Sequence, residues 1–300
     1  MTKEFVAIVG ATASGKTALG LLLAKEQNGE IVSVDSRQIY KHLAIGTAKP
    51  KGVWTAEHGR SFYRVNGIAY HLVDFVEPSD HFSAANFVRH AAEKTAEIQG
   101  RGKTPIFVGG TGLYFKALAE GLAALPPADA SIRTRLKKEA DDQGREAMHR
   151  RLSLIDPEAA KKIPANNIQR LIRALEVFEI TGKPISQWHR EHQSAEVETR
   201  LKLKFIGIDI PREELHRRIE ARCRTMIEEG MVEETQALLN QGFPETCPSL
   251  TGLGYPRIIS MLKGTLSKDD CLALLIQDTR QYAKRQMTWF RHQLPVIWKK

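Results

Sequence analysis

The sequence describes an α/β protein in which a parallel sheet, flanked by helices, is interrupted by an all-helical insertion. Three observations carry that reading. Short apolar runs at residues 5–9, 31–34, 105–108 and 203–208 have the length and composition of buried strands, and most of them lead on to helix-patterned sequence. The first run enters Gly10-Ala-Thr-Ala-Ser-Gly-Lys-Thr17 and then a helical stretch through Glu26, the strand, G-x-x-x-x-G-K-S/T, helix order of a phosphate-binding loop. From Lys116 to about Arg200 strand signals vanish and helical periodicity takes over. The result is a P-loop sheet in two parts, residues 1–115 and 201–300, around a helical insertion at 116–200.

The glycine-rich turn has a direct chemical meaning. Gly10 and Gly15 let successive N–H groups converge on one concavity at the positive end of a helix dipole, where a polyphosphate replaces water. Lys16 adds a mobile positive charge, and the Thr17 hydroxyl is of the kind that ligates Mg²⁺. The loop alone does not say which phosphate ester it holds, because kinases, ATPases, GTPases and other transferases share it.

Further along, the strand at 31–34 delivers Asp35-Ser-Arg-Gln38, and loops at strand carboxyl ends line the crevice of an open parallel sheet. From position alone, a cap on the following turn is the simpler reading of Asp35. Residues 45–50 read as a loop ending at Pro50, and residues 54–66 as irregular and polar. Tyr70 to Val76 reads as a strand, with Asp74 as a surface acid or, alternatively, a group standing behind a metal. Ser83 caps a helix running to about Gln99, and the strand at 105–108 ends in Gly109-Gly-Thr-Gly-Leu-Tyr114, a turn that is either a tight connection or a second place of close ligand approach.

Inside the insertion, helical pattern covers 131–154, 157–163 and 168–180, with Thr181-Gly-Lys-Pro184 as a stop. Gln169 and Arg173 share one helical face, with Arg170 and Glu176 nearby, the pattern of a salt-bridged or solvated surface. After the strand at 203–208 come a charged helix from Arg212 to Glu229, closed by Gly230, a helix at 231–241 and a final helical region from about Ser267. That last segment carries Arg280, Lys284, Arg285 and Arg291 and has no acid from Arg280 onward. It is either an ordinary amphipathic helix or one that tracks phosphates.

Lys and Arg total 44 against 35 acids, a net charge of +9 that favours an anionic partner. The three cysteines, Cys223, Cys247 and Cys271, form no C-x-x-C pair and encode neither a disulfide framework nor a zinc site, which suits a reducing cytoplasm. No apolar run approaches the length of a bilayer span, so no membrane residence is expected.

Taken in order, these segments resemble the tRNA dimethylallyltransferase (isopentenyl-diphosphate:tRNA transferase) family. The resemblance rests on the 10–17 loop, Asp35-Ser-Arg-Gln-Ile-Tyr40, Ile45-Gly-Thr-Ala-Lys-Pro50, His71-Leu-Val-Asp74, Gly109-Gly-Thr-Gly-Leu-Tyr114, Gln169-Arg-Leu-Ile-Arg-Ala-Leu-Glu176, Gly254-Tyr255 and Thr279 through Arg291, and so spans nearly the whole chain. The chain departs from the family pattern at Ala11, Ala44, Thr251 and Pro256, and no tRNA contact is carried over to 251–256.

The resemblance implies transfer of a dimethylallyl group from its diphosphate to the exocyclic N6 amine of the adenosine 3′-adjacent to a tRNA anticodon, by a cytoplasmic, monomeric, Mg²⁺-using enzyme whose P-loop core is kinase-like. It further implies that Gly10, Thr12, Ala13, Ser14, Gly15, Lys16 and Thr17, with Arg173, hold the diphosphate, and that Thr17 also meets Mg²⁺. Asp35 is the implied general base, with Thr111 beside it. The anticodon stem-loop would meet Asp35, Ser36, Arg37, Gln38, Thr111, Arg133, Gln169, Arg170, Arg173, Lys284, Arg285, Gln286 and Arg291.

Overall fold

A computed structural model of the chain describes residues 4–57, 59–194 and 200–299. The chain divides into two compact units, Met1–Gly121 with Thr199–Lys300, and Leu122–Glu198.

The first unit is built on an eight-stranded sheet. Its strands are β1 (Phe5–Val9), β2 (Gly29–Val34), β3 (Val53–Glu57), β4 (Arg60–Val65), β5 (Ile68–His71), β6 (Thr104–Gly109), β7 (Leu203–Ile208) and β8 (Ile297–Lys299), in the spatial order β3-β4-β5-β2-β6-β1-β7-β8. From β5 to β8 every pairing is parallel, and the β3–β4 hairpin extends the β5 edge antiparallel. Central strands β1, β2 and β6 are almost wholly buried, which is why they read as unbroken apolar runs. Val9 and Val34 both register with Gly109, and Val9 with Gly207. The loops that follow β1, β2 and β6 therefore leave the sheet side by side along one edge, and that edge is where the site forms.

Helix α1 (Lys16–Glu26) packs through Ala24 with Ile8, Ile31, Ile106 and Val108. Helix α2 (Ala84–Gly100) begins at a reciprocal capping box between Ser83 and Asn86, and α3 (Gly112–Glu120) follows β6. A second core gathers side chains of α9 (Arg212–Glu228), α10 (Met231–Asn240), α11 (Tyr255–Leu262) and α12 (Lys268–Gln293) around Ile219, Met231, Tyr255, Ile258 and Leu275. No helix among the described residues is long and apolar enough to cross a membrane. Where the chain departs from this unit and rejoins it, Leu201 donates its N–H to the Leu118 carbonyl at 2.8 Å and Arg200 Nε donates to the Glu120 carbonyl at 2.8 Å.

The second unit consists of α4 (Ala130–Gln143), α5 (Arg145–Ile155), α6 (Pro157–Lys162), α7 (Ile168–Thr181) and α8 (Ile185–Ser194). Leu136, Met148, Leu152, Leu171, Leu175 and Val177 form its own buried core.

Several local expectations are corrected. Residues 54–66 are not irregular but include most of β3 and all of β4; β3 is largely exposed and in β4 only Tyr63 and Val65 are buried, too short an alternation to mark the ribbon. The strand expected at 70–76 ends at His71, where Leu72 (φ 59°) and Asp74 (φ 56°) take left-handed backbone. The helix expected over 131–154 is two helices, parted at Gly144 (φ 83°). Helix α8 and strand β8 carried no sequence signal that was read.

Candidate active site

The three neighbouring loops enclose a cavity of about 620 Å³, lined among others by Thr12 to Thr17, Asp35 to Gln38, Gly110, Tyr70 and Arg222. Its floor is the phosphate loop. Gly15 holds φ 93°, and Ala13 also takes left-handed backbone at φ 63°, so the chain curls tightly around the concavity. The Ser14 hydroxyl is buried with no hydrogen-bond partner among the described residues, the state of a group shaped for a ligand oxygen. Lys16 Nζ folds back onto the Ala11 carbonyl at 2.5 Å. Burial pushes its pKa down from 10.5 to about 7, against the pull of Asp35 and with the help of Arg222. An ammonium so poorly solvated has much to gain from an anion.

Arg222, on α9, reaches across to the Thr12 hydroxyl at 3.3 Å and adds a second cation to this wall. Sequence reasoning missed it, because Arg222 lies in a helix dense with charge and its partner is 210 residues away. Nothing in the local pattern distinguishes it from Arg217 or Arg224, which pair with Glu214 and Glu220.

The opposite wall follows β2. Asp35 Oδ1 accepts the N–H groups of Arg37 (2.8 Å) and Gln38 (3.2 Å), so the residue does cap the turn. No hydrogen bond reaches its Oδ2 among the described residues. The Thr111 hydroxyl, from the turn after β6, accepts the Ser36 N–H at 3.0 Å and ties the two loops together. Arg37 Nη1 donates to the Pro248 carbonyl at 2.8 Å, and the Gln38 amide donates to the carbonyls of Thr47 and Ala48. That 44–48 segment is itself held by one carboxylate: Glu234 accepts N–H groups from Ala44, Ile45 and Gly46 at 2.6–3.0 Å and the Tyr255 hydroxyl at 2.9 Å. Sequence reasoning missed Glu234 too.

Thr17 and Asp35 line the same cavity as the buried Tyr70 phenol. Burial, with Asp35 nearby, pushes that phenol up, so it stays protonated. Among the described residues no group of three His, Cys, Asp or Glu side chains could cage a metal. The oxygen donors present fit instead a hard cation carried mainly by phosphate oxygens, with Thr17 as a protein ligand. Asp74 does not line this cavity: its Oδ1 pairs with buried Lys49 at 2.5 Å and its Oδ2 accepts from Trp54 Nε1 at 3.3 Å.

Of the remaining candidates, Arg285 and Gln286 line the same cavity from α12, and the others do not. In the helical unit, Gln169 and Arg170 are exposed on the first turn of α7. Arg133 Nε and Arg173 Nη1 converge on buried Glu176 at 2.9 and 2.7 Å, and Arg173 Nη2 donates to the Pro126 carbonyl at 2.7 Å. Burial opposes the Glu176 charge, but Arg173, the Asp129 N–H and Arg133 together hold its pKa below the ordinary range. On α12, Lys284 and Arg285 are exposed, Arg291 pairs with Asp209 at 3.1 Å, and Gln286 is buried.

A parallel sheet with a G-x-x-x-x-G-K-T loop after β1, a carboxylate at the end of β2 on the far side of β6, and Lys16 and Arg222 beside the loop defines a P-loop transferase of the kinase-like type. Comparison with known proteins narrows the class. Residues 38–293 match the family described as IPP transferase, and residues 3–67 the one described as isopentenyl transferase. A tRNA dimethylallyltransferase of Geobacter metallireducens is 46% identical over 98% of this chain and 92% of its own length, and one from Geobacillus thermodenitrificans 43% identical over 99% and 90%. Among solved structures, the tRNA isopentenylpyrophosphate transferase of Bacillus halodurans matches with a TM-score of 0.68 at 38% identity, over 99% of this chain and 90% of that one. A eukaryotic dimethylallyltransferase acting on tRNA matches with 0.77 at 26% identity, over 99% and 74%. The chain belongs to the IPP transferase family, the tRNA dimethylallyltransferases.

Proposed function

We propose that this enzyme transfers the dimethylallyl group of dimethylallyl diphosphate to the exocyclic N6 amine of the adenosine 3′-adjacent to the anticodon in tRNA, in the cavity between the phosphate loop and Asp35. One observation carries the assignment of roles: a cationic, anion-shaped floor and a carboxylate bound to its own turn through one oxygen face the same 620 Å³ space.

The N6 lone pair attacks C1 of the dimethylallyl group as the C1–O bond to diphosphate breaks, and the N6 proton passes to Asp35. Charge grows on the departing oxygen, and the N–H groups of Ala13, Gly15, Lys16 and Thr17, the Ser14 hydroxyl, the Lys16 ammonium and Arg222 receive it. The Thr17 hydroxyl would hold Mg²⁺, which when bound would supply further charge neutralisation. An adenine amine is a weak nucleophile, since its lone pair is delocalised into the ring, so a base at its proton is worth about 10²–10⁴-fold. Thr111 and Ser36 sit beside Asp35 as polar partners for the base.

The target adenosine must leave the anticodon-loop stack, at a cost of a few kcal/mol that phosphate contacts offset. Arg133, Gln169, Arg170 and Arg173 on the helical unit, and Lys284, Arg285 and Arg291 on α12, are the groups assigned to the anticodon stem-loop. The test combines the protein, Mg²⁺, labelled dimethylallyl diphosphate and unmodified tRNA. Label is expected in the RNA without ATP consumption. A folded sample that labels no tRNA carrying an adenosine at that position, and turns over ATP instead, overturns the proposal.

A further inference from the structure

Gln286 stands between Arg285 and Met287 on the basic helix, and by sequence it reads as one more RNA contact. Its surroundings say otherwise. The side chain is 8% exposed, and both ends of its amide are consumed by backbone. Oε1 accepts the Thr12 N–H at 2.8 Å, and Nε2 donates to the Gly110 carbonyl at 2.9 Å. Those two groups belong to the loops after β1 and β6, which are adjacent strands with Val9 opposite Gly109.

The loops are built to admit this amide. A Cβ on Gly110 would lie 2.3 Å from Nε2, so no other residue fits there while Gln286 is in place. Downstream of Gly110, the Thr111 N–H donates to the Val34 carbonyl at 3.2 Å and its hydroxyl accepts from Ser36. Upstream, Thr12 is held at its N–H by Gln286 and at its hydroxyl by Arg222. We propose that Gln286 is a positioning residue, a strut that fixes the separation between the diphosphate loop and the Thr111 turn and so the register of leaving group against acceptor. The proposal rests on the functional reading above. Only an amide serves: a carboxylate would face the Gly110 carbonyl with a second acceptor, and a lysine or arginine offers no acceptor to Thr12.

The test uses the full chain and two variants of nearly unchanged volume, Gln286→Met and Gln286→Glu. Pyrophosphate binding with Mg²⁺, tRNA binding, and kcat and KM for the donor are measured for each, beside thermal melting. Gln286→Met leaves the Thr12 N–H and the Gly110 carbonyl buried without partners, and a loss of about tenfold or more in pyrophosphate affinity is expected, with a matching fall in kcat. Gln286→Glu keeps the acceptor and should fall between wild type and Gln286→Met. Binding of tRNA should stay within about twofold of wild type for both. A fall in tRNA affinity with pyrophosphate affinity intact would assign Gln286 to the RNA instead. Unchanged pyrophosphate affinity and kcat in both variants, or equal loss of every property, would equally overturn the strut. A wild-type protein that binds no pyrophosphate defeats the functional reading itself, before either variant is compared.

Discussion

Replacing Asp35 by Asn separates its two tasks, because they use different oxygens. The turn is held by Oδ1, which accepts from the N–H groups of Arg37 and Gln38 at 2.8 and 3.2 Å. Asn retains that acceptor, and the opposite orientation would aim an amide NH₂ at two N–H donors, so the substituted side chain keeps its carbonyl on the turn. What changes is the other position, where an NH₂ that cannot take a proton replaces Oδ2. The backbone of 35–38, the Ser36 bond to Thr111 and the Gln38 bonds to Thr47 and Ala48 should all survive. The loss is then that of a general base, about 10²–10⁴-fold in kcat, or roughly 3–5 kcal/mol of transition-state stabilisation. Single-turnover transfer of labelled donor to saturating tRNA measures it, with tRNA and pyrophosphate affinities alongside. Both affinities should stay within about twofold of wild type. A variant that loses tRNA binding in proportion to rate, or that retains wild-type kcat, refutes the assignment of Oδ2 as the base.

Other perturbations have equally definite outcomes. Truncating Glu234 to Ala strands the Ile45 and Gly46 N–H groups, and a loss of about 2–4 kcal/mol in stability is expected by denaturant titration, with a raised KM for tRNA because the 44–48 wall loosens. Neutralising Lys284 and Arg285 together as Gln should raise the tRNA concentration needed for half-maximal rate and flatten the log–log salt slope by about 1–2, measured from 50 to 200 mM salt. Glu30 supplies a pH signature. Burial opposes its charge, but hydrogen bonds from His71 and Arg101, each at 2.6 Å, hold its pKa at about 2 in place of 4.5. A depressed carboxylate contributes stability above the unfolded value and loses it as pH falls from about 4.5 towards 2. The gap in unfolding midpoint between wild type and Glu30→Gln should therefore be constant near neutrality and close across that acidic window.

What the sequence disclosed and what it hid follow from the range of the interactions. The phosphate loop is eight contiguous residues whose geometry is local, so its pattern announces it, and the buried strands announce themselves because both of their faces are dry. Asp35 was legible in both of its senses, as a turn cap and as a group at a strand's carboxyl end. Arg222, Glu234 and the role of Gln286 were not, since the atoms that give them meaning lie 210, 188–190 and 176–274 residues away. The β3–β4 hairpin escaped because β3 is wetted on both sides and only Tyr63 and Val65 of β4 are buried, which leaves too short a pattern to read. The break at Gly144 escaped because one glycine inside a helical run costs only about 1 kcal/mol and does not by itself declare a boundary.

The bonds that close the neck of the helical unit have a consequence for how such a chain is assembled. Leu118 meets Leu201, and Glu120 meets Arg200, so the exit and the return are buttoned to one another. A segment that leaves and returns through one closed collar can be shortened, lengthened or exchanged while the collar keeps its bonds. On the proposed division of roles, the chemistry of prenyl transfer and the grip on a particular RNA are free to change at different rates within one polypeptide, and a version with the helical unit replaced by a short glycine-rich bridge should still fold and hold pyrophosphate.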